Sequence, residues 1–488
     1  MYYIGVDLGS TNLKAALYSG DLVCVARESE KVYYTGDPGY VELDILRYYD
    51  SFAAMIRRLL AGSGISPDEI RSIGFTGQAE TLVVLGLDGQ PLMNAISWMD
   101  DRSKEECDVL ASKFSPEIIH RTTGQMAVLP TWPATKILWL KNHRPEVYEN
   151  AAYYLLLKDY LIYRMTGELM SDMSIATFSF YFDIYNKCYW QEMLSAIGIG
   201  EAQLPPLVEP NTPAGFVSEE AAKETGLSRN TIVNIGTLDH FAGMVGTGNI
   251  TPGGVSLSTG TVMALVVMAD KVDPDAEIAM HYGFLPDTWI MLPCCESGGA
   301  SLEWLKTACM KDVSYDEMNR ALAERKRSSL PVFLPYIVGT NAPEYDSRAT
   351  GVFWGLRQEH DVIDMAGAVM DGVSCLLRKN CDSIRATGTE VKRIIATGGG
   401  AKSAVWCQMQ ADQTGLPVDI PSDTEAACLG AAIVGAVGAG DFADLAEACG
   451  KAVSMKKRYE PEKDPENDRR YRIFTSLYDA TVGIADIR

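Results

Sequence analysis

The sequence lacks a disulfide framework, a cluster of metal ligands and an apolar run of membrane-spanning length. Its eleven cysteines are odd in number and include no C-x-x-C pair, which indicates reduced thiols in a cytoplasmic protein. Five scattered histidines, none paired at the spacing of metal ligands, argue against a zinc site. The longest small-apolar run, Ala427 to Gly440, is shorter than the roughly 20 residues of a membrane span. It predicts a buried, closely packed helix instead.

Basic residues are also scarce. The chain has 43 Lys and Arg against 64 Asp and Glu, for a formal net charge of -21. Duplex binding needs clustered Lys and Arg, so this balance argues against a nucleic-acid partner. An anionic ligand would have to be bound locally by backbone N–H groups. The first residues, MYYIGVDL, predict a strand rather than the basic opening of a secretion signal.

What the chain does have is material for two cores. With 488 residues, 47% of them hydrophobic, it exceeds what one core usually supports, and two domains are expected. Apolar strands alternate with helical patterns, which is typical of α/β architecture. Buried strand Ile70 to Gln78 and helix Met365 to Ile384 are examples. Glycine, proline and asparagine between Val245 and Gly254 predict a boundary there.

Two hairpin patterns stand near the beginnings of the two halves. The first runs from Tyr3 through the turn Gly9-Ser10-Thr11-Asn12 to Tyr18, and the second spans Gly253 to Val267. Either one alone reads as an ordinary β-hairpin with a polar turn. Together they predict a duplicated domain. The first strand also carries Asp7, and an ionised carboxylate inside a strand is costly unless something pairs with it.

Two further segments contain residues suited to ligand binding or catalysis. Gly398-Gly399-Gly400-Ala401 follows a predicted strand and precedes a helix, where free N–H groups and the positive helix end can face an anion. The loop matches neither a P-loop nor a dinucleotide fingerprint, so a tight turn is an equal alternative. Asp239 begins an Ala/Gly-rich helical segment. It is either a helix cap or a general base that takes a proton from a substrate hydroxyl.

In this order along the chain, these pieces resemble the FGGY carbohydrate kinases of the actin-like ATPase superfamily. The segments KILWLKN (Lys136 to Asn142) and GVFWGLRQEHDVIDMAGAVMD (Gly351 to Asp371) fit that family's two signature patterns, and the resemblance covers essentially the whole chain. It implies an α/β fold of two actin-like, ribonuclease-H-like ATPase domains that flank a cleft. Residues 1–246 would bind sugar and phosphate, and residues 247–488 the nucleotide.

Two parts of the chain resemble different members of this family. The C-terminal half is most similar to xylulokinases, for example in GGGAKSAVWCQMQAD. The sugar loop is more similar to glycerol kinases, because Gln78, Glu80, Thr81 and Trp98 match that pattern although Ala79 replaces its arginine. The resemblance implies ATP-dependent phosphorylation of a small sugar, with a pentulose such as xylulose ranked first. A polyol kinase of glycerol or erythritol type is the alternative, and an actin-like chaperone or filament ATPase is the alternative from another class.

The family pattern assigns roles residue by residue. Asp239 would be the catalytic base, and Asp7 would hold Mg²⁺. The acceptor would contact Gln78, Glu80, Trp98, Asp239 and His240, although a lone histidine after a functional residue, such as His240, is more often structural. ATP would be bound by Thr11, Lys14, Gly260, Thr261, Gly299, Gly399, Gly400, Ala401 and Ser403. A solvated strand lysine is an equal alternative for Lys14. The expected cofactors are ATP and Mg²⁺, and the expected partners are a sugar or polyol and a second copy in a homodimer, with no nucleic acid and no membrane.

Overall fold

Strands and helices alternate through the chain in a computed structural model that describes residues 1–423 and 425–485. The strands β1–β24 are, in order, Tyr2–Leu8, Asn12–Ser19, Cys24–Lys31, Glu42–Leu43, Ile70–Gly77, Leu82–Leu85, Ala95–Ile96, Tyr153–Leu156, Ser171–Asp172, Phe182–Asp183, Cys188–Tyr189, Leu207–Val208, Pro213–Phe216, Ile232–Asn234, Gly254–Thr259, Met263–Ala269, Met280–Tyr282, Trp289–Met291, Cys294–Cys295, Val332–Leu334, Val352–Trp354, Arg393–Gly398, Val418–Pro421 and Met455–Tyr459. The helices α1–α17 are Ile45–Ser63, Lys104–Lys113, Pro116–Thr123, Pro133–His143, Pro145–Asn150, Leu157–Thr166, Met173–Ala176, Gln191–Ile197, Glu219–Thr225, Asp239–Gly246, Gly299–Cys309, Tyr315–Ala323, Val362–Ala386, Ala404–Thr414, Ala426–Gly438, Leu445–Ala452 and Pro465–Ala485.

The chain divides into two compact units. The first comprises Met1–Ile250, Ala279–Ile290 and Glu425–Val453, and the other described residues form the second. This division differs from a single boundary at 246/247, because two later segments belong to the first unit. The segment Glu425–Val453 belongs to the first unit because it contains α15, which packs against β1 and β5. The assignment of sugar binding to 1–246 and nucleotide binding to 247–488 stays a prediction.

The first unit is built on a six-stranded sheet of order β13-β14-β5-β1-β2-β3. The predicted hairpin is confirmed, since β1 and β2 pair antiparallel with Asp7 opposite Lys14. Strand β1 is also parallel to β5, which is in turn parallel to β14. Because parallel strands end at the same edge of a sheet, the turn after β1, the loop after β5 and the segment from β14 to Asp239 all leave from that edge.

The second unit repeats this pattern. Five of its strands follow the order β16-β15-β22-β23-β24. Strands β15 and β16 form the second predicted hairpin, and β15, β22 and β23 are parallel. Each unit therefore contains an antiparallel hairpin followed by two parallel strands, which is the topology expected of a duplicated domain. The register pairs Thr259 with Gly398, so the hairpin turn and the glycine loop also leave from one edge.

Helix α15 confirms the prediction of a buried, closely packed helix. Its residues from Cys428 to Ala436 are buried, and it lies so close to α10 that a Cβ on Gly430 would fall 1.8 Å from the carbonyl oxygen of Ala242. A side chain at Gly430 is therefore excluded unless a helix moves. Within the described part of the chain, every helix is too short or too polar to cross a bilayer. The eleven cysteines are all free thiols.

Candidate active site

The turn of the first hairpin is held from outside by two aromatic side chains. The Tyr34 hydroxyl donates to the carbonyl oxygen of Ser10 at 2.8 Å, and the Trp98 indole N–H donates to the Ser10 hydroxyl oxygen at 3.0 Å. Thr11, the predicted phosphate contact, is exposed in this turn. Trp98 keeps 39% of its surface exposed, and because its N–H is already used, the indole offers an apolar face to a ligand.

Asp7 lies in β1 as a partly buried carboxylate close to other charges. Burial raises the pKa of Asp7 to about 7, and the negative charge of Asp239 adds to the rise, whereas Lys14 opposes it. A buried carboxylate with a second carboxylate nearby favours either a proton or a cation. The positive charge of Lys14 therefore offsets only part of the cost of placing an ionised aspartate in this strand. The carboxylate charge that is not offset is available to a metal ion.

Lys14 has a partner that the sequence did not indicate. Its Nζ lies 2.7 Å from a carboxylate oxygen of Glu425 at the start of α15, and both side chains are about one-third exposed. Exposed ion pairs of this kind contribute little to stability. The predicted role of Lys14 at the transferred phosphoryl group stays a prediction, and it would require Lys14 to exchange this partner.

The predicted acceptor residues after β5 are brought together at the sheet edge. The Gln78 side chain is buried, with its amide nitrogen 3.4 Å from the carbonyl oxygen of Gly9 and its amide oxygen accepting from the Thr81 hydroxyl at 2.9 Å. Gln78 thus ties the acceptor loop to the hairpin turn. Its predicted direct contact with a sugar stays a prediction.

Glu80 occupies a conformation that few side chains adopt. Its φ is +58°, in the left-handed region, and Lys136 donates to its carbonyl oxygen at 2.9 Å. Lys136 is fully buried. Burial raises the pKa of Glu80 and lowers the pKa of Lys136, while the attraction between the two charges opposes both shifts. Lys136 therefore fixes the main chain of Glu80 through a hydrogen bond and favours the ionised form of its carboxylate through charge attraction.

Asp239 is the first residue of α10 and does not cap this helix, while its predicted role as a general base stays a prediction. The helix cap is Leu238, which makes no side-chain capping bond. Within residues 1–423 and 425–485, the Asp239 carboxylate accepts one hydrogen bond, from the adjacent His240 N–H at 2.6 Å. Asp239 is partly buried and His240 is exposed. The Asp239 charge also acts on both Asp7 and Glu80. These three residues, Asp7, Glu80 and Asp239, are called the carboxylate cluster below.

The carboxylate cluster fits Mg²⁺ by its chemistry. Among the described residues no group of three or more His, Cys, Asp or Glu side chains is arranged to hold a metal by itself. Mg²⁺ does not need such a cage, because it binds through one or two carboxylates, waters and substrate phosphates. The carboxylates supply oxygen ligands, and a divalent cation would relieve the repulsion between Asp7 and Asp239.

The second unit contains a cavity of about 630 Å³ at the edge where its hairpin turn and glycine loop meet. Of the predicted nucleotide residues it is lined by Gly260, Thr261, Gly299, Gly399, Gly400 and Ser403. Ala401, also predicted, is not among the lining residues. The two loops touch closely, since a Cβ on Gly400 would lie 2.8 Å from Cβ of Thr259. Glycine at this position therefore lets the loops approach each other.

Ser403 has a structural duty in this cavity. Its hydroxyl oxygen accepts from the Trp406 backbone N–H at 3.1 Å, capping α14, and its hydroxyl donates to the Asn319 side-chain oxygen at 2.6 Å. In the part of the chain that the structure describes, the indole N–H of Trp406 and the hydroxyl of Thr259 have no hydrogen-bond partner although both are buried. Both residues line the cavity. They are unused polar groups at a site suited to a polar ligand.

Sequence reasoning missed residues that support the site. Tyr34 donates to Ser10 beside the predicted Thr11, Lys136 donates to the carbonyl oxygen of the predicted Glu80, and Asn319 lines the second-unit cavity. A local signal existed for Lys136 alone. It is a lysine at the start of the otherwise apolar segment KILWL, and a charge next to such a segment needs a partner when it is buried.

Comparison with protein-family models matches both halves of the chain. Residues 2–246 match the N-terminal domain of the FGGY family of carbohydrate kinases, and residues 255–439 match its C-terminal domain. A xylulose kinase of Staphylococcus epidermidis is 30% identical over 483 residues, which are 98% of this chain and 95% of that protein.

Solved structures give the same picture of the fold. The crystal structure of xylulose kinase from Rhodospirillum rubrum superimposes with a TM-score of 0.92 at 26% identity and covers 100% of both chains. The gluconate kinase structure from Lactobacillus acidophilus gives a TM-score of 0.90 at 27% identity and covers 99% of this chain and 98% of that one. The expected actin-like ATPase fold is confirmed.

Proposed function

The chain belongs to the FGGY family of carbohydrate kinases, and from this premise we propose that it phosphorylates a pentulose such as xylulose. It is an ATP-dependent sugar kinase. The observation that carries the choice of acceptor is the similarity to a xylulose kinase over 98% of the chain, which includes the acceptor loop after β5 as well as the nucleotide half.

The carboxylate cluster supports a division of labour in this reaction. The acceptor hydroxyl oxygen attacks the γ-phosphorus of ATP, the bond from that phosphorus to the ADP oxygen breaks, and the hydroxyl proton passes to the carboxylate of Asp239. The products are the sugar phosphate, ADP and a proton that Asp239 later releases. Asp239 suits this task because, among the residues that the structure describes, its carboxylate accepts a single hydrogen bond, from the His240 N–H, and keeps lone pairs for the hydroxyl.

Glu80 and Trp98 would hold the sugar. Glu80 presents a carboxylate whose main chain is fixed by Lys136, and a carboxylate can accept hydrogen bonds from two adjacent hydroxyls. Trp98 offers its exposed indole face to the carbon chain. Gln78 and His240 complete the proposed set, the first from the loop that it shares with Glu80 and the second from the residue after Asp239.

The nucleotide would occupy the 630 Å³ cavity of the second unit. The turn Gly260-Thr261 and the loop Gly399-Gly400 would present backbone N–H groups to its phosphates, with Gly299, Ala401 and Ser403 beside them. Thr11 and Lys14 would contact phosphate from the first hairpin. Asp7 would hold Mg²⁺, which when bound supplies positive charge to the phosphoryl oxygens.

We further propose that the protein is a cytoplasmic homodimer. Support for the compartment comes from its eleven free thiols, since disulfides are rare where thiols are kept reduced. Sedimentation of the purified protein tests the assembly. A mass twice that of the chain is expected, and the mass of a single chain would refute the dimer.

A polyol kinase is a second candidate, favoured by Glu80 and Trp98 together in the acceptor half. A panel of xylulose, ribulose, erythritol, glycerol and gluconate, assayed by ADP release, separates the candidates. We expect the largest kcat/KM for a pentulose. A larger value for erythritol or glycerol would replace the pentulose by a polyol, and ATP turnover that does not respond to any sugar would favour the chaperone or filament class.

A further inference from the structure

Beneath the loop that leads to Asp239 lies a buried ion pair to which no role has been given. The Lys158 side chain on α6 and the Asp172 side chain on β9 both have 0% exposure, and the Lys158 ammonium donates to Asp172. The ammonium also donates to the carbonyl oxygen of Ile235 at 2.7 Å, at the end of β14. Buried ion pairs are weak evidence for stability, because desolvation offsets much of their attraction. A geometric role is therefore the more informative interpretation.

The other carboxylate oxygen of Asp172 binds Ser174. It accepts from the Ser174 backbone N–H at 2.9 Å and from the Ser174 hydroxyl. An ionised carboxylate only accepts hydrogen bonds, so the single hydroxyl proton of Ser174 is directed to Asp172. The hydroxyl oxygen of Ser174 is left as an acceptor.

Two donors from the Asp239 loop meet this oxygen. The Thr237 hydroxyl lies 2.6 Å from it, and the Leu238 backbone N–H lies 3.4 Å from it. On its other side Thr237 is held by Thr76, whose hydroxyl donates to the Thr237 carbonyl oxygen at 2.8 Å. The two residues before Asp239 are therefore fixed by buried hydrogen bonds with defined donor directions, although Asp239 has no side-chain cap of its own.

We propose that the chain of contacts from Lys158 through Asp172 and Ser174 to Thr237 positions the carboxylate of Asp239 for proton transfer. These four are positioning residues, since they act through the main chain of the loop and none belongs to the groups assigned to sugar, nucleotide or metal. The proposal rests on the proposed role of Asp239. A displacement of about 1 Å at a reacting group can cost on the order of 10²-fold in rate, so loss of the Thr237 hydroxyl should be visible in kcat.

The test uses three threonine variants of the full chain. Thr237→Val removes the hydroxyl at nearly constant volume, and Thr237→Ser keeps it. Thr231→Val is the matched control, because Thr231 is also fully buried and its hydroxyl also makes a buried hydrogen bond, in this case to the main-chain carbonyl oxygen of Ile70 at 3.1 Å. This contact lies at the opposite end of β5 and β14. Steady-state kcat and both KM values are measured together with thermal unfolding.

We expect kcat of Thr237→Val to fall by about 10- to 100-fold with both KM values nearly unchanged, Thr237→Ser to recover most of the rate, and Thr231→Val to resemble the wild type. A normal kcat in Thr237→Val, a change confined to KM, an equal loss in Thr231→Val or no recovery with serine would each overturn the proposal.

Ser174→Ala is the second variant in case Thr237→Val does not fold, and the same loss of kcat is expected from it. If neither folds while Thr231→Val does, the contacts serve stability and the positioning role is refuted. Asp239→Asn separates this proposal from the one on which it rests. Full activity of Asp239→Asn would remove Asp239 from the mechanism, whereas an inactive Asp239→Asn beside a normal Thr237→Val would refute only the positioning role.

Discussion

Replacing Asp7 with asparagine should stabilise the unliganded protein at neutral and alkaline pH while abolishing sugar-dependent ATP turnover. Burial, with the charge of Asp239 as the next contribution, raises the pKa of Asp7 from 3.8 to about 7. At 1.36 kcal/mol per pKa unit, this shift corresponds to about 4 kcal/mol in favour of the protonated carboxyl in the folded state. Asparagine has no charge at any pH and avoids this cost.

The sign of the pH dependence follows from proton binding. Between the unfolded pKa of 3.8 and the folded pKa of about 7, the folded protein keeps a proton on Asp7 that the unfolded chain has released. The contribution of Asp7 to the free energy of unfolding therefore falls as pH rises through this window and is constant above it. From pH 5 to pH 8, the advantage of Asp7→Asn over the wild type should grow by about 2 to 3 kcal/mol.

Thermal unfolding at pH 5, 6, 7 and 8 measures this growth, since about 1 kcal/mol moves the midpoint of a large domain by roughly 2 to 4 °C. Asp108→Asn, an exposed aspartate on α2, is the matched control and should show no growth. Added MgCl₂ should raise the midpoint of the wild type more than that of Asp7→Asn. A midpoint difference that is independent of pH, or equal growth in the control, would refute the reasoning.

Two further predictions concern the acceptor loop and the packing of α15 on α10, the helix that begins with Asp239. Glu80→Gln should raise the acceptor KM by about 10-fold or more, because a hydrogen bond to a charged group contributes about 1.5 to 3 kcal/mol. The KM for ATP should not change. An equal rise in both KM values would show that Glu80 does not belong to the sugar site. Gly430→Ala should lower the unfolding midpoint, because its Cβ would meet the Ala242 carbonyl oxygen at 1.8 Å and overpacking costs about 1 to 3 kcal/mol. Gly243→Ala, on α10 with open space around it, should instead be neutral or stabilising, and a similar loss in both variants would contradict the close-packing argument.

Much of the fold could be predicted from local pattern. Both hairpins, strand β5, helix α13 and the glycine loop between β22 and α14 occur where the alternation of apolar residues and turn residues indicated them. Residues near Asp239 were recognised for a similar reason, since a strand, a turn and an Ala/Gly-rich helix are adjacent in the sequence. Local periodicity reports on local structure, because neighbouring residues share a strand or a helix.

The partners of the site residues could not be predicted in this way. Glu425 reaches Lys14 across 411 residues of sequence, and Lys136 reaches the main chain of Glu80 across 56. No periodicity connects positions so far apart, because their proximity depends on how whole elements pack. Sequence also could not show that Ala401, which matches the family pattern in the glycine loop, does not line the cavity.

The sequence by itself determined the alternation of elements, the repeat of the hairpin and the types of residue available for chemistry, because these depend on neighbours within a few positions. Only the tertiary structure decided which charges meet. Helix α15, encoded near the end of the chain, packs on β1 and β5 of the first unit, and burial together with Asp239 raises the pKa of Asp7. Charge and burial act through space over a few ångströms, so their effect on a carboxylate is fixed when distant segments come together in the folded chain.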